Sequence, residues 1–293
     1  MKLLVTGAGG MVGRAVAAHC ASLGDEVLAC DHAALDITDA AALGGFFERE
    51  RPEAVINCAA WTDVDACQSN PERAFLVNTL GPENLAVNCR RRGALLVTLS
   101  TDYVFDGEKE GFYTQRDDPN PQSVYAAAKL EGERRAQAAS ARTIVVRTGW
   151  IFGEGGRNFL STAVRRVLAG ERLKLIRDAY GTPTYAPELA ARLRRLAERD
   201  IPGIFHVVSG GEGASYEEFV QSALTGLAHD RALLESVSFS SLQRPAPRPV
   251  NSRLACLLSE ALGMKPLPHW QEGLKDFVAR TLTSVPSGGI SIN

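Results

Sequence analysis

Between a short apolar run, Leu3 to Val5, and a stretch of helical composition from Met11 to Leu23 lies Thr6-Gly7-Ala8-Gly9-Gly10-Met11-Val12-Gly13. Its glycines recur as G-x-x-G-x-x-G. Side chains at those positions would obstruct a tight strand-to-helix turn and keep a pyrophosphate from the helix N-terminus, whose free N–H groups and dipole favour an anion. A second apolar run, Glu26 to Cys30, completes a βαβ unit. In that setting Gly7, Gly10, Met11, Val12 and Gly13 are expected to hold a dinucleotide.

The same rhythm continues. Apolar runs at Ala54 to Cys58, Ala94 to Leu99 and Thr143 to Arg147 alternate with helical stretches at Asn70 to Arg92 and Gln122 to Ala139. Such alternation predicts an α/β fold, a Rossmann-type doubly wound parallel sheet with right-handed crossovers. The rhythm loosens near residue 150. Helices are expected around Phe159 to Leu168, Pro187 to Arg199, Ser252 to Leu262 and Trp270 to Arg280, with a strand over Gly203 to Val208. The expected organisation is a dinucleotide-binding domain over 1–150, to which some later segments return. A smaller C-terminal domain, mainly substrate-binding, covers 151–283, and a flexible tail 284–293.

Composition narrows the partners. A formal net charge of -2 gives no general argument for nucleic acid or an anionic membrane, and Arg90, Arg91 and Arg92 read as a solvated helix face. No stretch approaches the roughly 18 consecutive apolar residues of a membrane span. The six cysteines, Cys20, Cys30, Cys58, Cys67, Cys89 and Cys256, are scattered singly without C-x-x-C pairs or clustered histidines. That pattern predicts neither a disulfide framework nor a metal site, and a cytoplasmic location.

Asp31 stands 18 positions after Gly13, close to the spacing of about 20 at which an acid meets the adenosine ribose. A carboxylate there favours NADH slightly over NADPH, while nearby Arg14 and His32 leave room for the 2′-phosphate. Asp36 and Ile37 are expected to border the adenine, and Ala59 and Ala60, in Asn57-Cys58-Ala59-Ala60, to let backbone approach the cofactor. The decisive pair is Tyr125 and Lys129, spaced i, i+4 on one helix face. A free phenol, with a pKa of about 10, is a poor proton shuttle, and a neighbouring ammonium draws it toward phenolate. Thr101, with Ser100 as its understudy, follows a strand whose C-terminal end is where open parallel sheets put their active sites. Its hydroxyl is placed to orient the carbonyl oxygen that Tyr125 protonates, giving a Thr101-Tyr125-Lys129 triad.

These residues resemble the extended short-chain dehydrogenase/reductases, and within them the branch of dTDP-4-dehydrorhamnose reductases. The likeness runs through Leu35-Asp36-Ile37-Thr38-Asp39, Ser100-Thr101-Asp102-Tyr103-Val104-Phe105-Asp106-Gly107, Arg147-Thr148-Gly149-Trp150, Gly181-Thr182-Pro183-Thr184-Tyr185-Ala186 and Arg248-Pro249-Val250-Asn251-Ser252-Arg253-Leu254. The resemblance implies reduction of the C4 ketone of dTDP-4-dehydro-6-deoxy-L-mannose to dTDP-L-rhamnose with NADH or NADPH, by a monomer or homodimer. It further implies that Asp102, Tyr103 and Trp150 hold the sugar, that Asn158 lies near its nucleotide, and that Lys129 also bonds the nicotinamide ribose. Each supporting residue has a structural alternative: Trp150 and Tyr103 as core, Asp102 as a turn cap, Asn158 as a helix cap. Ala15 stands where some relatives place an acid for a metal-linked dimer, and Ala179 follows Asp178 where the branch often has Gln. Two other functions fit the same motifs: reduction or epimerisation of a different nucleotide sugar, and a non-catalytic cofactor-binding regulatory subunit.

Overall fold

The computed structural model describes residues 1–283; the tail expected over 284–293 lies outside them. The first half alternates as the apolar runs predict: β1 (Lys2–Thr6), α1 (Met11–Ser22), β2 (Glu26–Cys30), α2 (Ala40–Glu50), β3 (Ala54–Asn57), α3 (Val64–Ser69), α4 (Pro71–Phe75), α5 (Gly81–Arg92), β4 (Leu95–Thr101), α6 (Val124–Ala139) and β5 (Thr143–Thr148). Beyond it come β6 (Ile151–Phe152), α7 (Phe159–Leu168), β7 (Leu173–Ile176), β8 (Tyr180–Gly181), β9 (Thr184–Tyr185), α8 (Ala186–Arg199), β10 (Gly203–His206), β11 (Ala214–Ser215), α9 (Tyr216–Ala223), β12 (Leu234–Val237), α10 (Leu257–Ala261) and α11 (Trp270–Thr283).

Six strands form one parallel sheet in the order β10-β5-β4-β3-β1-β2. The order reverses between β1 and β3, and a crevice opens at the C-terminal ends of such strands. Both faces are buried, which is why the strands read as unbroken apolar runs. Leu3, Val5, Ile56 and Val97 pack with Val16 of α1 and Leu189 and Leu193 of α8. Leu4, Val55 and Leu96 pack on the other face with Leu43, Phe47 and Leu85. A separate core joins Phe152, Val164, Leu175, Phe219, Trp270 and Phe277, drawn from α7, α9, α11 and the short strands between them. Because α8 packs on the large sheet and β10 is one of its strands, the chain crosses between the two cores more than once.

Two expectations change. The single helix over Asn70 to Arg92 is broken into α4, a π-turn at Leu76–Leu80, and α5. Pro82 has no N–H to give the Asn78 carbonyl, so the turn before it widens instead of continuing as α-helix. The helix expected from Ser252 shrinks to α10, because Asn251 and Leu254 are extended and bridge to Tyr180 and Tyr113. Arg90, Arg91 and Arg92 are exposed in the last turn of α5, where cations suit the helix dipole. Among the described residues, no helix is long and apolar enough to cross a membrane.

Candidate active site

A cleft of about 450 Å³ runs along the strand ends from the glycine-rich turn to the second core. At one end Gly10, Met11, Val12 and Gly13 line it. Gly7 has φ +66, which a side chain disfavours, and a Cβ on Gly13 would lie 2.2 Å from the Gly7 oxygen. The turn is therefore drawn tight, and Gly10, as N-cap of α1, offers no side chain that would occupy the helix's first N–H groups. A backbone cradle of this kind fits a dinucleotide pyrophosphate. Gly7 itself lies beneath the turn, against the backbone of Cys58 and Ala59.

The other end gathers Thr101, Tyr125 and Lys129, all lining the cleft. Strand β4 runs two residues further than its apolar run suggests, because Ser100 and Thr101 pair in register with Arg147 and Thr148 of β5. Ser123 caps α6 by accepting from the Ala126 N–H, which sets Tyr125 in the first turn and Lys129 in the next. Tyr125 and Lys129 are buried, and the Lys129 Nζ donates to the Leu99 carbonyl at 2.7 Å. Burial holds the Tyr125 phenol well above its ordinary range, with the Thr101 hydroxyl opposing and Asp102 and Cys67 reinforcing. This differs from the direction that the i, i+4 spacing led us to expect: the fold makes Tyr125 a neutral phenol, a proton donor. Burial also pulls Lys129 down to about 8, against the pull of Glu133 and Cys58.

Asp102 and Tyr103 begin a 3-10 turn after β4, where the Thr101 hydroxyl both donates to Asp102 at 3.1 Å and accepts from the Tyr103 N–H at 3.2 Å. Both line the cleft. Burial pushes the Asp102 carboxyl up to about 7 despite the Ser252 and Thr101 hydroxyls, and its Oδ2 is buried without a hydrogen-bond partner. Trp150 also lines the cleft, with φ +50. A non-glycine residue in that region costs about 1–3 kcal/mol of strain and stays there only where its surroundings hold it. Here Trp150 Nε1 donates to the Ser252 hydroxyl at 3.2 Å and the indole packs on Tyr216 with centroids 4.1 Å apart. Asn158 faces the cleft while capping α7, accepting from the Ser161 N–H at 2.9 Å.

Other expected cofactor residues stand apart from this wall. Ala60 lines the cleft, but Ala59, Asp31, Asp36 and Ile37 do not. Strand β2 stops at Cys30, and Asp31 follows it, exposed beside Gly9, accepting from the Ala34 N–H at 2.9 Å. Asp36 accepts from the Thr38 N–H and hydroxyl, and Ile37 is buried against Gly81. Arg14 donates to the carbonyls of Gly9 and Gly155. Among the described residues, no group of three or more His, Cys, Asp or Glu is arranged to hold a metal.

Sequence reasoning missed Tyr216, Phe159, Thr62 and Thr148, all of which line the cleft. Thr148 was within reach, being the register partner of Thr101 at the neighbouring strand end. Tyr216 carried only a capping signal: Ser215 and Glu218 form a capping box that starts α9 with its aromatic first residue facing Trp150.

The family model described as RmlD substrate binding domain matches residues 1–283. A dTDP-4-dehydrorhamnose reductase of Mycobacterium tuberculosis is 37% identical over 299 residues, covering 100% of this chain and 95% of that protein. The crystal structure of a dTDP-4-dehydrorhamnose reductase from Clostridium acetobutylicum superposes with a TM-score of 0.91 at 36% identity, covering 96% of this chain and 100% of the other. One from Bacillus anthracis, in complex with NADP, does so with a TM-score of 0.90 at 30% identity and the same coverage.

Proposed function

This chain belongs to the RmlD substrate binding domain family, and from that premise we propose that it reduces the C4 ketone of dTDP-4-dehydro-6-deoxy-L-mannose to dTDP-L-rhamnose with NADH or NADPH. The observation that carries the reading is the convergence, in one cleft, of Thr101, Tyr125 and Lys129 at one end and the bare N-terminus of α1 at the other. Gly10, Met11, Val12 and Gly13 would hold the cofactor pyrophosphate, and Lys129 the nicotinamide ribose. When bound, the nicotinamide supplies the hydride that reaches the sugar C4.

The chain's own residues handle the proton. Tyr125, held neutral by burial, donates its phenolic proton to the C4 oxygen as charge develops there. Thr101 orients the same oxygen and, through its contacts with Asp102 and the Tyr103 N–H, is itself fixed. Asp102, Tyr103 and Trp150 hold the sugar, and Asn158 flanks the nucleotide end. Asp31 favours NADH slightly, an assignment supported by the commitment of Arg14 to two backbone carbonyls. We also assign 1–150, with α8 and β10, to cofactor binding, and the rest of 151–283 mainly to substrate binding. The protein acts as a monomer or homodimer in the cytoplasm, a compartment that suits six free thiols.

The deciding assay supplies purified protein with each reduced cofactor, with and without the 4-keto sugar. Cofactor oxidation only with the sugar, and formation of dTDP-L-rhamnose, is the expected result. Turnover of a different nucleotide sugar in its place, or cofactor binding with no turnover at all, would replace this reading with another enzyme or a regulatory subunit.

A further inference from the structure

Behind the catalytic end lies a buried charge cluster that the mechanism above does not use. Tyr125, Lys129 and Glu133 follow one another at i, i+4 and i+8 on α6 and so share one face. Glu133 and Arg147 are among the most buried charged groups of the chain, at 3% and 4% exposure. The Arg147 guanidinium meets the Glu133 carboxylate through Nη2 to Oε2 at 2.8 Å and through Nε to both oxygens at 3.1 and 3.2 Å. It lies at the same time over the Phe105 ring, 5.3 Å from the centroid. Ser100 donates its hydroxyl to Glu133 Oε1, and Ser100 and Arg147 are register partners on β4 and β5.

Two buried charges are costly to place, and a hydrophobic pair of similar volume would serve packing as well or better. The location of this pair gives it a use. It sits one helical turn below Lys129, in a pocket where the ammonium otherwise has only the Leu99 carbonyl as a hydrogen-bond partner. Among the groups around Lys129, Tyr125 on α6, Cys58 beyond β3 and Ser100 and Thr101 on β4 carry no formal charge in their ordinary forms. Burial favours neutral Asp102 at the end of β4, and Arg147 on β5 adds positive charge. Glu133 is the negative charge left to oppose the desolvation of the ammonium, and it acts in that sense.

We propose that Glu133 is a positioning residue for the reaction: its carboxylate, held in place by Arg147 and Ser100, is the counter-charge that keeps the buried Lys129 ammonium charged. This rests on the reading of Lys129 as part of the catalytic set, so its test includes an arm that needs no turnover. The chain has six lysines, few enough for their side-chain resonances to be followed individually by NMR on protein carrying labelled lysine, with Lys129 identified by its loss in Lys129→Arg.

In the native protein the Lys129 signal is expected to titrate near pH 8. In Glu133→Gln, which keeps the shape and an acceptor for Ser100, it should move down by about one pH unit or more, a tenfold change in its acid constant. In Glu133→Asp, which keeps the charge but shortens the reach, it should stay closer to native than in the Gln variant. The alkaline limb of the kcat profile should follow the same order. A purely structural role would injure both variants at every pH without displacing the limb. Should Glu133→Gln fail to fold, with Arg147 left buried and unpaired, the double variant Glu133→Gln, Arg147→Met removes both charges. Its Lys129 should still titrate below native. A folded variant lacking the carboxylate, with Lys129 titrating where it does in the native protein, overturns the proposal. If the native protein reduces no 4-keto sugar, the function assigned above fails while the NMR arm still decides this one.

Discussion

The catalytic end of the cleft and the Asp31 loop outside it were expected from similar kinds of motif, and the fold treats them differently. At the catalytic end Thr101, Asp102, Tyr125 and Lys129 are buried, so the surroundings reset their chemistry: a phenol kept protonated, an ammonium pulled down to about 8, a carboxyl pushed up to about 7. In the loop after β2, outside the cleft, Asp31 stands in solvent, holding one backbone N–H of its own loop. Electrostatic effects are strong where water is excluded and weak where it is not. The first should therefore decide whether the protein works, and the second only how it discriminates.

The sharpest way to break that contrast is Tyr125→Phe. It removes one proton donor and little packing, so kcat should fall by roughly 10²- to 10⁴-fold while the reduced cofactor binds as before. Near-native turnover with the 4-keto sugar would show that the buried end does not carry the chemistry.

Asp102 tests whether burial alone reshapes a group. Its carboxyl has an ordinary value of 3.8 when the chain is unfolded and about 7 when folded. The fold thus retains a proton that the unfolded chain releases, and stability is lost as pH rises from about 4 to about 7, with no further change above. The Asn variant cannot ionise. Its melting temperature relative to native should rise between pH 5 and pH 8, each kcal/mol showing as about 2–4 °C. A constant difference across that range would mean that Asp102 is solvated in the folded protein.

Tyr216→Ala probes the aromatic wall opposite the triad. Losing a ring packed on Trp150 and Phe159 should raise KM for the nucleotide sugar roughly tenfold, with kcat changed less, since stacked aromatics contribute about 0.5–1.5 kcal/mol beyond their area. Equal losses in kcat would instead tie the wall to the reacting centre. The smallest effect is expected at Asp31. In Asp31→Ala the ratio of kcat/KM for NADPH over NADH should rise only a few-fold, as a solvent-exposed charge is screened. A native preference for NADPH of about tenfold or more, 1.4 kcal/mol, would reverse the reading of this acid.

What the amino-acid sequence determined by itself was local in origin. Gly7 and Gly13 dictate a turn because the backbone there has no room for a Cβ, and the spacing of Tyr125 and Lys129 sets them on one face of whatever helix contains them. The apolar runs from Leu3 to Val146 announced a sheet buried on both faces, and with it the strand ends where Thr101 lies. Tertiary structure decided the rest, because burial and pairing depend on residues far apart in the chain. Nothing near Tyr216 in sequence says that it will meet Trp150, since the two come together only when the second core folds against the strand ends. Nor could the spacing of Tyr125 and Lys129 say which way their protons lie. Desolvation acts on both groups, and on Lys129 also an acid fixed by Arg147 and Ser100 on neighbouring strands, only after the sheet and α6 have packed.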